Sequence, residues 1–156
     1  MLRRSRTINN FLVALLLLAA LFLFHIRLHA LIPETGDFIL VSLIAAGFFM
    51  GLLELVALSA LAALLLNWQP TFLSPEMLLL LALPVACWAL RRLLGWRLWT
   101  SAAILVPSSL MAWYGITAAA ASAGHPLQVA SALLVDMVVA ILMLQFYSYL
   151  YETQTI

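Results

Sequence analysis

The longest apolar stretch, residues 38–66, most limits what this chain can fold into, because its 29 residues carry a single charged side chain, Glu54. A continuous helix over this stretch would be about 44 Å long at 1.5 Å per residue. That length clearly exceeds the ~30 Å hydrocarbon core of a bilayer. A break between Gly47 and Gly51 would instead leave two helices, each short for a full span. The stretch therefore predicts either one long tilted helix or two short helices hinged near the glycines.

Composition restricts the class of protein. Hydrophobic residues make up 67% of the 156 residues and charged residues 8%, whereas a soluble domain is roughly 45–50% apolar and about 25% charged. This excludes a soluble enzyme, a disordered chain and a nucleic-acid-binding module, and the single cysteine excludes a disulfide framework. We predict an all-α integral membrane protein. Residues 1–156 would form one transmembrane helical domain without a soluble domain, and its immediate partner would be the lipid bilayer.

Local signals divide the rest of the chain into four more helices. The predicted segments are residues 11–30, 75–90, 98–123 and 127–151. The first has no small-x-small cleavage site, so we expect it to be retained as a transmembrane helix. Asp37 is a natural N-cap for the long stretch, and Ser74-Pro75-Glu76 is typical of a helix start. Pro84 and Pro107 predict kinks within their helices.

The arginines decide between the two interpretations of the long stretch. The chain has no lysine, and six of its seven arginines form two clusters, residues 3, 4 and 6 and residues 91, 92 and 97. Basic residues next to transmembrane helices favour the cytoplasmic side. Both clusters lie on that side only if the long stretch crosses twice. We therefore predict a six-helix transmembrane bundle with short second and third helices and with the N- and C-termini in the cytoplasm. Five spans is the alternative.

Asp136 is the most prominent polar candidate, because it lies ten residues after Pro126 within an apolar helix. A charge at the bilayer centre costs about 2.5–3.5 kcal/mol on insertion scales. We therefore expect Asp136 to face other helices. It would either bind a ligand or handle a proton, or it would accept a hydrogen bond from Ser108 or Ser109.

Two other charged residues are candidates for intramembrane sites. If a helix begins after Gly51, Glu54 lies in its first turn and favours the helix dipole. In one long helix Glu54 would instead be deep in the bilayer. Arg27 lies near the outer end of the first helix, where it would extend to the interface or pair with Glu34 or Asp37.

Small residues predict close helix contacts. Gly47 and Gly51 form a GxxxG pattern, which allows helices to approach closely in membranes. Ser59 and Ala63 continue a small-residue surface along the same stretch. The glycines are also the best position for a helix break, so these two interpretations compete.

The sequence lacks the motifs of common catalytic and cofactor sites. It has no phosphate-binding glycine loop and no HExxH motif, and Ser108 and Ser109 have no histidine nearby in sequence. His25 and His29 are four residues apart but have no obvious third ligand. We expect no enzymatic activity, no cofactor and no metal site.

Several segments together resemble one family. They are the run from Asp37 to Val41, the stretch from Gly47 to Gly51, residues 91–99 (RRLLGWRLW), and Asp136 in the last helix. The layout resembles that of MreD, the rod-shape-determining protein of the bacterial inner membrane. Members often carry an acidic, glycine-flanked segment near the end of the third helix, where this chain has LLLNWQP, so no residue-specific role is transferred.

The resemblance implies both a fold and a function. MreD is similar in fold to the substrate-binding membrane components of energy-coupling-factor transporters. The resemblance implies that this chain acts as a scaffold in cell-shape control and cell wall (peptidoglycan) elongation. It would bind a bitopic partner, a protein with a single transmembrane helix, such as MreC.

Two further functions stay open from the residues alone. A small-molecule-binding component of an uptake transporter would need a polar cavity reached by Asp136 or Arg27. An accessory subunit of a respiratory or photosynthetic membrane complex would need only an apolar bundle.

Overall fold

The computed structural model describes residues 2–31, 37–66, 75–95, 97–120 and 126–152. Within these ranges the chain is entirely helical and has no strand. The six helices are α1 (Leu2–Leu31), α2 (Phe38–Gly47), α3 (Leu52–Leu66), α4 (Pro75–Leu94), α5 (Leu98–Ala120) and α6 (Pro126–Glu152).

The short helix α2 is the centre of the bundle. All ten of its residues are buried, and it contacts each of the other five helices. Ten residues extend only about 15 Å, so α2 is half the length of a bilayer core. A helix that is apolar all round is stable when other helices enclose it, which explains why this segment lies in the interior.

The break predicted between Gly47 and Gly51 is present. The N–H groups of Phe48 and Phe49 bond back to the carbonyls of Ala45 and Ala46, at 3.1 and 2.9 Å, and so tighten the end of α2. The chain then turns, and α3 begins at Leu52. The N–H of Gly51 donates to Oε2 of Glu54 at 3.2 Å, which satisfies a backbone donor just before α3.

The end of α4 differs from the prediction. We predicted that the helix ends at Leu90 and that Arg91 begins a basic loop, but α4 continues to Leu94 and includes Arg91 and Arg92 in its last turn. Gly95 ends the helix with a φ of 59°, and its N–H bonds to the carbonyl of Arg91 at 3.2 Å. Glycine adopts this left-handed conformation easily, and arginines are stable beside the negative end of a helix dipole.

The prolines do not end their helices. α4 continues through Pro84 and α5 through Pro107. After Pro107, the hydroxyls of Ser108 and Ser109 donate to the carbonyls of Ile104 and Leu105, four residues earlier in α5, at 2.6 and 2.7 Å. Pro107 has no backbone N–H, and the two serine hydroxyls supply additional hydrogen-bond donors to the helix carbonyls beside it.

Helices α2, α4 and α6 run in the same direction. The start of α2 contacts Asp136, and just past its end Phe49 stacks on Tyr147, with ring centroids 5.9 Å apart. Likewise, a Cβ at Gly47 would lie 3.4 Å from the carbonyl of Pro84, and Trp88 bonds to Met50. The α2–α3 break, the end of α4 and the C-terminal part of α6 therefore share one end of the bundle.

Two segments are long and apolar enough to cross a membrane within the described part of the chain, Glu76–Leu94 and Val129–Leu150. Three further apolar segments are shorter, Phe11–Phe24, Phe38–Gly47 and Leu52–Leu65. The helical fold class is thus confirmed for the described residues, whereas the number of spans stays a prediction.

Candidate functional site

Asp136 lies at the junction of three helices. Its exposed fraction is 0%, although it is in the middle of the apolar helix α6. Oδ2 accepts a hydrogen bond from the hydroxyl of Tyr114 on α5 at 2.6 Å and from the backbone N–H of Asp37, just before α2, at 3.2 Å. One carboxyl oxygen therefore joins α2, α5 and α6.

Asp37 connects this junction to the cap of α2. Its Oδ1 accepts from the N–H of Leu40 at 3.2 Å, as predicted for an N-cap. The same residue's own N–H bonds to Asp136. The positive end of the helix dipole therefore points toward two carboxyl groups.

The second carboxyl oxygen of Asp136, Oδ1, is buried and has no hydrogen-bond partner among the described residues. Buried polar atoms are usually paired, so this atom is an exception. It can carry a proton or accept a bond from a bound donor. Within the described residues no group of three His, Cys, Asp or Glu side chains could hold a metal ion.

The predicted partners of Asp136 were wrong. Ser109 lies 2.8 Å from Sγ of Cys87 and donates to the carbonyl of Leu105, and Ser108 is exposed. The actual donor is Tyr114, which sequence reasoning missed. A usable signal existed, since a tyrosine within an apolar helix usually needs a partner for its hydroxyl.

The other charged candidates lie apart from this junction. Glu54 bonds to Gly51 in its own turn, which is the local end-capping role and not a deep polar site. Arg27 is exposed on α1. It is on the side of the bundle where α2 begins, because Phe24, one turn earlier, contacts Phe38 with ring centroids 6.0 Å apart.

Three of the four small-residue candidates are buried. A Cβ at Gly47 would lie 3.3 Å from Cδ2 of Leu55 and 3.4 Å from the carbonyl of Pro84, so α2 approaches both α3 and α4 closely there. Ser59 and Ala63 are 0% and 2% exposed. Gly51 is exposed, and a Cβ there would meet only Glu54.

No protein-family model, curated protein or solved structure matches this chain.

Proposed function

We propose that this protein is a six-span membrane bundle that acts as a non-catalytic assembly subunit. In this proposal it is MreD-like and lies in the bacterial inner membrane with both termini in the cytoplasm. Its role would be to hold a bitopic partner such as MreC in the machinery of cell-shape control and cell wall elongation.

The observation that carries the proposal is the exposure of large apolar side chains around the bundle, while a carboxyl group is buried inside it. Asp136 and Ser59 are completely buried, while Leu16 on α1, Leu53 on α3 and Leu134 on α6 are 69%, 86% and 66% exposed. Large apolar surfaces on a monomer indicate a membrane or a protein partner. Here they occur on every helix except α2, which the others enclose.

The directions of the helices support the proposed orientation. The α2–α3 break lies at the same end of the bundle as Arg91 and Arg92. On α1, Ala14 and Leu18 are buried in the core and precede Phe24, which contacts the start of α2. α1 therefore runs opposite to α2, and its first turns extend toward the Arg91 end. In the proposed topology we assign both arginine clusters to this side, because basic residues next to transmembrane helices favour the cytoplasm.

A groove between α5 and α6 is a suitable place for a partner helix. It has a volume of about 230 Å³, and every residue that lines it is of an apolar type. Its lining includes three alanines, Ala102, Ala103 and Ala140. Small residues let a second helix approach closely, which is the main source of helix association inside a bilayer.

Co-purification tests the scaffold. The protein would be expressed with its candidate bitopic partner, purified in a mild detergent, and compared with the variant Ala103→Trp. The matched control is Ile104→Trp, on the next residue of α5, which is exposed but does not line the groove. We expect the partner to be recovered with the wild type and the control but lost with Ala103→Trp. Recovery of an ABC ATPase pair, or of electron-transfer subunits alone, would contradict the scaffold.

The orientation has its own test. A topology reporter fused after Gly95, just beyond α4, should report the cytoplasm. A periplasmic signal there would contradict six spans and return the chain to the five-span alternative.

One observation favours a second function, a substrate-binding component of an uptake transporter. The unpartnered Oδ1 of Asp136 is an acceptor that a bound cation or amine could use. In that case, ligand uptake should depend on Asp136, and an Asp136→Leu variant should lose uptake while it still inserts in the membrane. A scaffold would show no uptake to lose.

A further inference from the structure

A cavity of about 330 Å³ lies at the end of the bundle opposite Asp136. Its walls are the α2–α3 break, residues 47–50, and the last turns of α4, with Trp88, Arg91 and Arg92. We propose that this cavity binds a phosphate group, supplied by the headgroup of an anionic phospholipid. The choice of a lipid rests on the proposed membrane orientation, which places this end at the cytoplasmic interface; the choice of a phosphate does not.

The two guanidinium groups are held in place by aromatic rings. Arg91 lies 5.3 Å from the ring centroid of Phe48, and Arg92 lies 4.5 Å from the ring centroid of Trp88. Such cation–π contacts hold the guanidinium group over the face of the ring and give its N–H groups no oxygen acceptor. They leave the N–H donors at its edge available to a ligand.

Those donors have no acceptor within the described residues, since no hydrogen bond or ion pair of the Arg91 or Arg92 side chain is found there. An arginine presents five N–H donors in a planar fork that matches the oxygens of a phosphate. The adjacent positive charges also repel each other, and a bound anion would relieve this repulsion. The chemistry of the walls therefore suits an anion.

The cavity is built before any ligand arrives. The indole N–H of Trp88 donates to the carbonyl of Met50 at 3.2 Å, which fixes the break against α4. The nearby carboxylate of Glu54 is already bonded to Gly51. The volume also lies within the range of small-molecule pockets, about 300–1,000 Å³.

Position favours a lipid as the source of the phosphate. Basic pockets between transmembrane helices on the cytoplasmic side typically bind anionic headgroups. Leu81 and Leu90, which precede the arginines on α4 and lie toward the middle of the bundle, are 37% and 45% exposed. A lipid whose headgroup enters the cavity could therefore place its acyl chains along this apolar surface.

Binding would be measured on the purified full-length protein by native mass spectrometry. The probes are short-chain phosphatidylglycerol, short-chain phosphatidylcholine and inorganic phosphate. The double variant Arg91→Gln/Arg92→Gln removes both charges at similar size. The matched control is Arg97→Gln, which removes an exposed arginine just beyond the cavity.

We expect the wild type to prefer phosphatidylglycerol over phosphatidylcholine, and the double variant to bind phosphatidylglycerol roughly 30-fold more weakly. Arg97→Gln should keep the wild-type affinity. Equal losses in the double variant and in Arg97→Gln, or no lipid preference and no phosphate binding, would overturn the proposal. Binding of inorganic phosphate through Arg91 and Arg92 without any phosphatidylglycerol preference would support the phosphate site and overturn the lipid.

A second variant guards against misfolding of the first. Arg91→Lys/Arg92→Lys keeps both charges but removes the planar forks, so it should fold and show an intermediate loss of affinity. Wild-type affinity in this variant would contradict recognition by the forks. These measurements are made in detergent, independently of the topology reporter after Gly95, so failure of the site and failure of the orientation are distinguishable.

Discussion

Replacement of Tyr114 by phenylalanine is expected to destabilise the bundle, because it removes the hydroxyl that lies 2.6 Å from Oδ2 of Asp136. The carboxyl group is completely buried, and its other oxygen already lacks a partner. After the substitution only the N–H of Asp37 would remain as a donor. Water cannot easily reach the site to replace the lost hydroxyl.

The size of the loss depends on the charge of Asp136. A hydrogen bond to an ionised group contributes about 1.5–3 kcal/mol, whereas a bond between neutral groups contributes about 0.5–1.5 kcal/mol. The free energy of unfolding of Tyr114→Phe should therefore fall by about 1.5–3 kcal/mol if Asp136 is ionised. It should fall by the smaller amount if Asp136 is protonated.

The assay is reversible unfolding in mixed detergent micelles, followed by circular dichroism. A double-mutant cycle with Asp136→Ala isolates the coupling between the two side chains. Ser108→Ala is the control, since it removes an exposed hydroxyl that bonds only within its own helix and should change stability by less than about 0.5 kcal/mol. A coupling near zero, or a Tyr114→Phe variant as stable as this control, would refute the reasoning.

Three further predictions use the same unfolding assay. Gly47→Val should destabilise the bundle by about 1–3 kcal/mol through overpacking against α3 and α4. The control is Gly115→Ala on α5, where a Cβ meets open space, and it should be neutral or stabilising by up to about 1 kcal/mol. Gly95→Ala should lower the free energy of unfolding by about 1–2 kcal/mol because Gly95 has a φ of 59°, and Gly95→Asn should lower it less. Equal stability of the wild type and these two variants would contradict the left-handed end of α4. Asp37→Ala should lower the free energy of unfolding by about 0.5–2 kcal/mol, because α2 loses its N-cap. An unchanged free energy of unfolding would show that the cap is unimportant.

Local signals predicted the ends of helices well when a residue acts on its own turn. Asp37 was expected to cap α2, and it does so through the N–H of Leu40. The break between Gly47 and Gly51 and the start of α4 at Pro75 were also expected. The end of α4 was misplaced, because an arginine pair suggested a loop whereas Gly95 four residues later ends the helix.

The partners of Asp136 could not be predicted in the same way. Ser108 and Ser109 lie beside Pro107 and were the expected donors, but each hydroxyl bonds to a carbonyl one turn earlier in α5. The actual donors are Tyr114, 22 positions away, and Asp37, 99 positions away. Such pairs form only when α6 packs against both α2 and α5.

The sequence by itself determined the helical class, the high apolar content and the position at which residues 38–66 could break, because composition, caps and glycines act within a few residues. Only the tertiary structure decided that α2 is the enclosed centre, that Asp136 joins three helices, and that Arg91 and Arg92 face a cavity at the α2–α3 break. The physical reason is that these features depend on contacts between helices distant in the chain. In α2, where every residue is apolar or small, periodicity does not indicate which neighbour each face will meet.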